Sequence, residues 1–155
     1  MNPDLTIQIE KLKEISQDYS SDNYVADFED VLAEIHELHD VDSIPLLINF
    51  FDDNCEYDEL MFSIIHTIED FRDEIYVEKI IGKLEDFYRN APRWASIVHM
   101  RILNSRPTLD AYINELKTST SKKQFEVLRD MLSEIGAMGA DLDAKTKPLL
   151  DVVRG

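Results

Sequence analysis

The stretch Tyr57–Phe71, YDELMFSIIHTIEDF, places six large apolar residues within nine positions. At 100° per residue, five of them share one helical face, and Phe62 widens it. Asp58 and Glu59 fall in the first turn, where negative charge suits the helix dipole. A face this wide needs cover on more than one side, so we expect a central helix in an all-α domain. The five residues of the shared face are Leu60, Met61, Ile64, Ile65 and Ile68.

Apolar residues recur at helical spacing along the rest of the chain, and no segment alternates with a period of two. The sequence therefore predicts an all-α fold. The other predicted helices span 4–18, 23–39, 42–51, 73–88, 92–103, 108–117, 125–135 and 141–153, and the polar run 118–123 is predicted to be a loop.

The order of these helices suggests a repeat. Asp42–Phe71, Asp73–Ser105 and Arg106–Met138 each form a helix–turn–helix unit of about 30 residues. Stacked helical hairpins of this length predict a short HEAT-like solenoid, and an irregular helical bundle is the alternative. A length of 155 residues suits one domain, 1–155.

The chain lacks a run of about 18 apolar residues, so the sequence predicts no membrane span. Its polar N-terminus does not resemble a signal peptide. Cys55 is the single cysteine, which rules out an internal disulfide. We therefore expect a cytoplasmic protein.

The formal net charge of −16 is distributed unevenly. Residues 14–71 contain 17 acidic residues and no lysine or arginine, whereas the other 97 residues hold 15 acidic and 16 basic ones. A field of one sign repels nucleic acid and anionic membranes and attracts a basic partner. The alternative is a solvated surface that serves solubility alone.

The acidic residues of this region form a candidate binding surface. Four carboxylates fall within about 80° of each other on the far side of the 23–39 helix. Like charges at these spacings repel by a few tenths of a kcal/mol per pair, and no lysine is interleaved to offset that cost. The four are Asp27, Asp30, Glu34 and Glu37, and the following loop adds Asp52, Asp53 and Glu56.

Motifs for catalysis or metal binding are missing from the sequence. The loop from Asp52 resembles a calcium loop only superficially, because Tyr57 occupies the glycine position and Ser63 the final glutamate position. His66 has no partner nearby in sequence, so we expect it to be partly buried and bonded to a neighbouring group. We therefore predict a protein without catalytic activity, cofactor or metal.

Three phrases carry a resemblance to a known family. They are MFSIIHTIE at 61–69, APRWA at 91–95 and RILNS at 101–105. Together the region 42–135 resembles immunity protein family 30 of bacterial polymorphic toxin systems, which are related in function to contact-dependent growth inhibition. The resemblance implies a cytoplasmic protein that binds a cognate toxin domain and blocks it. It assigns no binding residue.

The charge and the resemblance lead to one hypothesis. A nuclease needs a basic surface to hold phosphates, and an acidic face is complementary to it. We therefore expect the partner to be a basic nuclease toxin, an RNase rather than a DNase. The alternative is a non-enzymatic helical scaffold or regulator that docks a basic host protein. A toxin gene beside this one would distinguish the two.

Overall fold

A computed structural model describes residues 1–119 and 121–154. The described residues form ten helices and no strand, which confirms the all-α class. The helices are α1 (Pro3–Ser16), α2 (Tyr24–Leu38), α3 (Ser43–Ile48), α4 (Asp58–Glu69), α5 (Asp73–Gly82), α6 (Leu84–Asn90), α7 (Pro92–Leu103), α8 (Arg106–Ser119), α9 (Lys122–Gly136) and α10 (Ala140–Arg154).

The chain divides into two compact units, Met1–Phe71 and Arg72–Gly155. In the first unit, α2 packs against α1 and α4, and α3 packs against α4. Helix α1 begins with Pro3 at its first position, and the side chain of Asn2 accepts a hydrogen bond from the Asp4 amide at 2.8 Å. This cap satisfies an amide that the helix itself leaves without a partner.

Helix α4 supplies much of the core of the first unit. Four of its apolar side chains are completely buried, and Met61 is 1% exposed. Phe62 is 36% exposed, so it does not widen the buried face as predicted. His66 is exposed, so the prediction of a partly buried histidine was wrong. The four completely buried residues are Leu60, Ile64, Ile65 and Ile68.

In the second unit, α9 packs against α10, α5 against α8, and α6 against α7 and α9. The 73–88 helix of the sequence prediction is two helices, separated at Lys83, where φ is −105° and ψ is 6°. Gly82 precedes the break, and glycine is a poor helix former. The apolar spacing continues through the break, and Ile80 and Leu84 are both buried. Apolar spacing alone therefore did not reveal it.

Helix α8 is longer than the predicted 108–117 and includes Thr118 and Ser119 of the predicted loop, while Thr120 lies outside the described residues. The helix against which α8 packs is also different from the prediction. Helix α8 packs extensively against α5, and α9 packs extensively against α10, so Arg106–Met138 is not a hairpin of mutually packed helices. The HEAT-like repeat is thus not confirmed, and the single domain 1–155 stays a prediction.

Candidate functional site

The uneven charge follows the division into two units. Met1–Phe71 contains 19 acidic residues and two lysines, whereas Arg72–Gly155 contains 13 acidic and 14 basic residues. The first unit therefore has a formal net charge of −17 and the second of +1. The acidity belongs to one compact body rather than to a stretch of sequence shared between both.

Ion pairs differ between the units in the same way. Among the described residues of the second unit, cations pair with acids on several helices, as in Arg89–Asp86 at 2.7 Å and Lys123–Glu85 at 3.1 Å. In the first unit, Lys13 pairs with Glu10 at 3.2 Å. Two lysines cannot balance 19 acids, so the surface of the first unit carries a strong negative field.

Helix α2 presents the acidic face predicted from the sequence. Its buried side includes Tyr24, Phe28 and Ile35, which pack into the core at 0–4% exposure. The four carboxylates opposite are exposed, and none has an ion pair or side-chain hydrogen bond with another described residue. We call these four residues the acidic face: Asp27, Asp30, Glu34 and Glu37.

The flank of α2 next to α4 is tied down by side-chain contacts. Ser63 Oγ donates a hydrogen bond to Glu29 Oε1 at 2.7 Å, and His36 Nε2 lies 2.8 Å from Asp70 Oδ2. The ion-pair character of the second contact depends on protonation of His36. These contacts accompany the burial of the apolar side of α2, which directs the acidic face to solvent.

The loop acids are placed differently from the acidic face. Asp52 is half-buried, and its carboxylate accepts hydrogen bonds from the Asn54 amide at 2.9 Å and the Tyr19 hydroxyl at 3.4 Å. Asp53 is also half-buried, and Glu56 is exposed. The structure therefore brings Asp52 to an aromatic pair at the start of α2 and gives it a role in holding its own turn.

Tyr19 and Tyr24 form that aromatic pair, with ring centroids 5.3 Å apart. Tyr24 also lies 5.6 Å from the ring of Tyr57. Burial, together with weaker electrostatic effects from neighbours including Cys55, raises the pKa of Tyr24 to about 12. The hydroxyl therefore stays protonated at neutral pH. Tyr19 was not singled out in the sequence, because an isolated tyrosine between two helices shows no periodicity.

Cys55 lies in the loop before α4, and its thiol is buried. Burial, with a smaller contribution from carboxylates such as Asp52, raises the pKa of the Cys55 thiol, which disfavours the nucleophilic thiolate. Within the described residues, no cluster of three or more histidine, cysteine, aspartate or glutamate side chains is arranged to hold a metal ion. The described helices also include none long and apolar enough to cross a membrane.

A family model described as immunity protein 30 matches residues 16–112, which are 97 of the 155 residues. The chain belongs to the immunity protein 30 family. The matched range contains all three phrases of the sequence resemblance. It starts earlier in the chain than the expected region 42–135, and it also ends earlier, at residue 112. Neither the curated proteins nor the solved structures provide a significant match.

Membership of this immunity family supports toxin neutralisation as the function, and an inhibitor rather than an enzyme. The family match covers α2 to α7 and includes the acidic face and the loop acids. It leaves out α9 and α10 of the second unit.

Proposed function

We propose that this immunity protein neutralises a basic nuclease toxin, an RNase rather than a DNase, by binding it through the acidic face. The cognate toxin belongs to a polymorphic or contact-dependent growth inhibition system, and binding takes place in the cytoplasm. The observation that carries this proposal is the formal net charge of −17 on one compact unit, compared with +1 on the other.

Four exposed carboxylates on one helix face repel each other, and no described cation offsets this cost. In an interface with a basic protein, attraction between these carboxylates and the cations of the partner would offset this repulsion. A nuclease presents a basic surface because it must hold phosphate groups. Charge complementarity of this kind steers association and excludes partners of the wrong sign.

The half-buried position of Asp52 limits its part in such an interface, because substitution there would also disturb its own turn. Asp53 and Glu56 contribute to the same negative field as the acidic face. We therefore assign the principal contacts to α2, with the loop acids as a second contribution.

The experiment takes the product of the neighbouring gene as the candidate toxin and measures its affinity for the double variant Asp30→Lys/Glu34→Lys. We expect weakening by roughly 2 kcal/mol or more, as for charge pairs at desolvated interfaces. A matched control is Glu126→Lys/Asp130→Lys, which makes the same charge change at the same spacing on exposed positions of α9.

If both double variants bind the toxin domain as tightly as the parent protein, the acidic face is not the interface. Equal weakening in both would show that total charge, rather than this face, controls binding. Loss confined to the α2 variant supports the proposal.

A further inference from the structure

The first unit contains a cavity of about 380 Å³ beside the connection between α1 and α2. Its lining includes the buried side chains Ile9, Tyr24 and Phe28. The polar groups that line it include Asp52 and Lys13. The cavity is thus an apolar pocket with charged groups among its walls, which is the usual composition of a site for one amphipathic group.

Tyr19 lines this cavity and is 58% exposed, yet it is held in place. Its hydroxyl donates to Asp52 at 3.4 Å, and its ring packs against Tyr24 at 5.3 Å. An exposed aromatic ring that is already ordered loses little entropy on binding a partner. Tyrosines in such positions are frequent hot spots of protein interfaces.

We propose that this cavity binds an arginine side chain of the toxin, an inference that rests on the proposed function. The aliphatic stem of arginine packs on the apolar lining, as Ile9 and Phe28 allow. Its guanidinium lies against the ring of Tyr19 and bonds to Asp52. A carboxylate has about four acceptor sites, and Asp52 uses two of them for Asn54 and Tyr19.

The electrostatics of the surrounding unit select a cation. The unit carries a formal net charge of −17, so a cationic side chain is drawn toward it. Lys13 is the opposing group in the lining, and its ammonium is paired with Glu10 at 3.2 Å, which reduces its repulsion of a second cation. An apolar side chain would fill the lining but leave Asp52 unpaired with charge.

The first test uses a small probe, N-acetyl-arginine methylamide, titrated into the whole protein and followed by the NMR shifts of the cavity residues. We expect the shifts to saturate with the arginine probe. The norleucine analogue, which has the stem without the charge, should bind with an affinity at least about tenfold lower. Equal shifts with both probes, or no shifts at the cavity, would overturn the inference.

Variants sharpen this test. Tyr19→Ala and Asp52→Asn should each lower the affinity for the arginine probe. The asparagine of Asp52→Asn keeps an oxygen that can accept the hydrogen bond from the Asn54 amide. Lys13→Gln should raise the affinity for the arginine probe, because it removes a like charge from the lining. A lower affinity of Lys13→Gln for the arginine probe would contradict the assignment of a cation.

The second test separates this inference from the proposed function. Tyr19→Ala should lower the affinity for the cognate toxin domain by about tenfold or more, as substitution of a hot spot does. Ile7→Ala, which also truncates an exposed apolar side chain of this unit but lies outside the cavity, is the matched control. If the toxin domain binds Tyr19→Ala as tightly as the parent, the cavity plays no part even though the toxin still binds. If the parent itself fails to bind, the proposed function has failed.

Discussion

His99 and Tyr112 are joined by a hydrogen bond of 2.8 Å between Nε2 and the phenol oxygen, and both side chains are completely buried in the second unit. The other ring nitrogen, Nδ1, lies 2.7 Å from the carbonyl oxygen of Ala95. A carbonyl can only accept, so Nδ1 carries a hydrogen. Burial lowers the pKa of His99 and disfavours the imidazolium, so Nε2 carries no hydrogen and accepts from the tyrosine hydroxyl. The imidazole is therefore neutral, with a defined tautomer.

The first prediction concerns acid stability. Burial lowers the pKa of His99 to about 4, against a slight opposing effect of the Ala95 carbonyl. Between pH 6.5 and 4 the unfolded chain binds a proton at this histidine that the folded chain does not, so stability falls as the pH falls through this window. We expect a loss on the order of 3 kcal/mol from this residue. Denaturant unfolding at pH 7, 5.5 and 4.5 measures it.

His99→Gln is the control for this titration, because glutamine keeps polar atoms and does not titrate. The difference between the free energies of unfolding of the two proteins should shrink as the pH falls, since only the parent loses this contribution. Parallel pH dependences of parent and variant would contradict the prediction. The carboxylates titrate in both proteins and cancel in the comparison.

The second prediction removes the hydroxyl of Tyr112. Tyr112→Phe leaves His99 Nε2 without its donor in a site that water does not reach. A buried acceptor left without a partner costs about 1–3 kcal/mol. Thermal and denaturant unfolding at pH 7 give the free energy. As a control, Tyr19→Phe removes a hydroxyl from an exposed residue and should change the free energy of unfolding by much less.

The sequence could not have revealed the pair of His99 and Tyr112. The two residues are 13 positions apart on two helices, and their contact depends on how α7 packs against α8. His99 lies on the buried side of α7 together with Trp94, and both side chains are completely buried. Helical periodicity identifies the apolar side of each helix, but it does not identify the neighbouring helix.

The third prediction tests the buried face of α4. Ile64→Ala and Ile68→Ala should each cost about 2–4 kcal/mol, because each removes a completely buried side chain and leaves a cavity. Phe62→Ala, on the same helix at 36% exposure, should cost clearly less. Chemical denaturation of the three variants measures these values. Equal costs at all three positions would show that the helix is turned differently from the structure described here.

The candidate site was partly predictable for the same reason as the fold. Four carboxylates at helical spacing without an interleaved lysine could be found by counting, and the structure leaves all four exposed. The environment of Asp52 could not be found, because it is set by a turn bond to Asn54 and a contact with Tyr19, 33 positions earlier. Local spacing carries no information about contacts between distant loops.

The fourth prediction concerns the two compact units, of 71 and 84 residues. Units this small bury a limited part of their surface and gain limited stability alone. We therefore predict that 1–155 behaves as one domain and unfolds in a single cooperative transition. Scanning calorimetry should give a calorimetric enthalpy equal to the van't Hoff enthalpy. Two resolved transitions would show that the units are separate domains.

The fifth prediction concerns how fast the toxin domain associates. If the acidic face steers binding, the association rate should fall steeply with added salt, because the Debye length shrinks from about 10 Å at 0.1 M to about 3 Å at 1 M. Asp30→Lys/Glu34→Lys should lower the rate at 0.1 M and flatten its salt dependence. The same double variant should be slightly more stable than the parent, since it relieves repulsion among exposed carboxylates. Stopped-flow association at the two salt concentrations, together with thermal unfolding, measures both effects.

Glu126→Lys/Asp130→Lys is the comparison for total charge. A salt-independent rate for the parent, with equal rates for both double variants, would remove the acidic face from the mechanism.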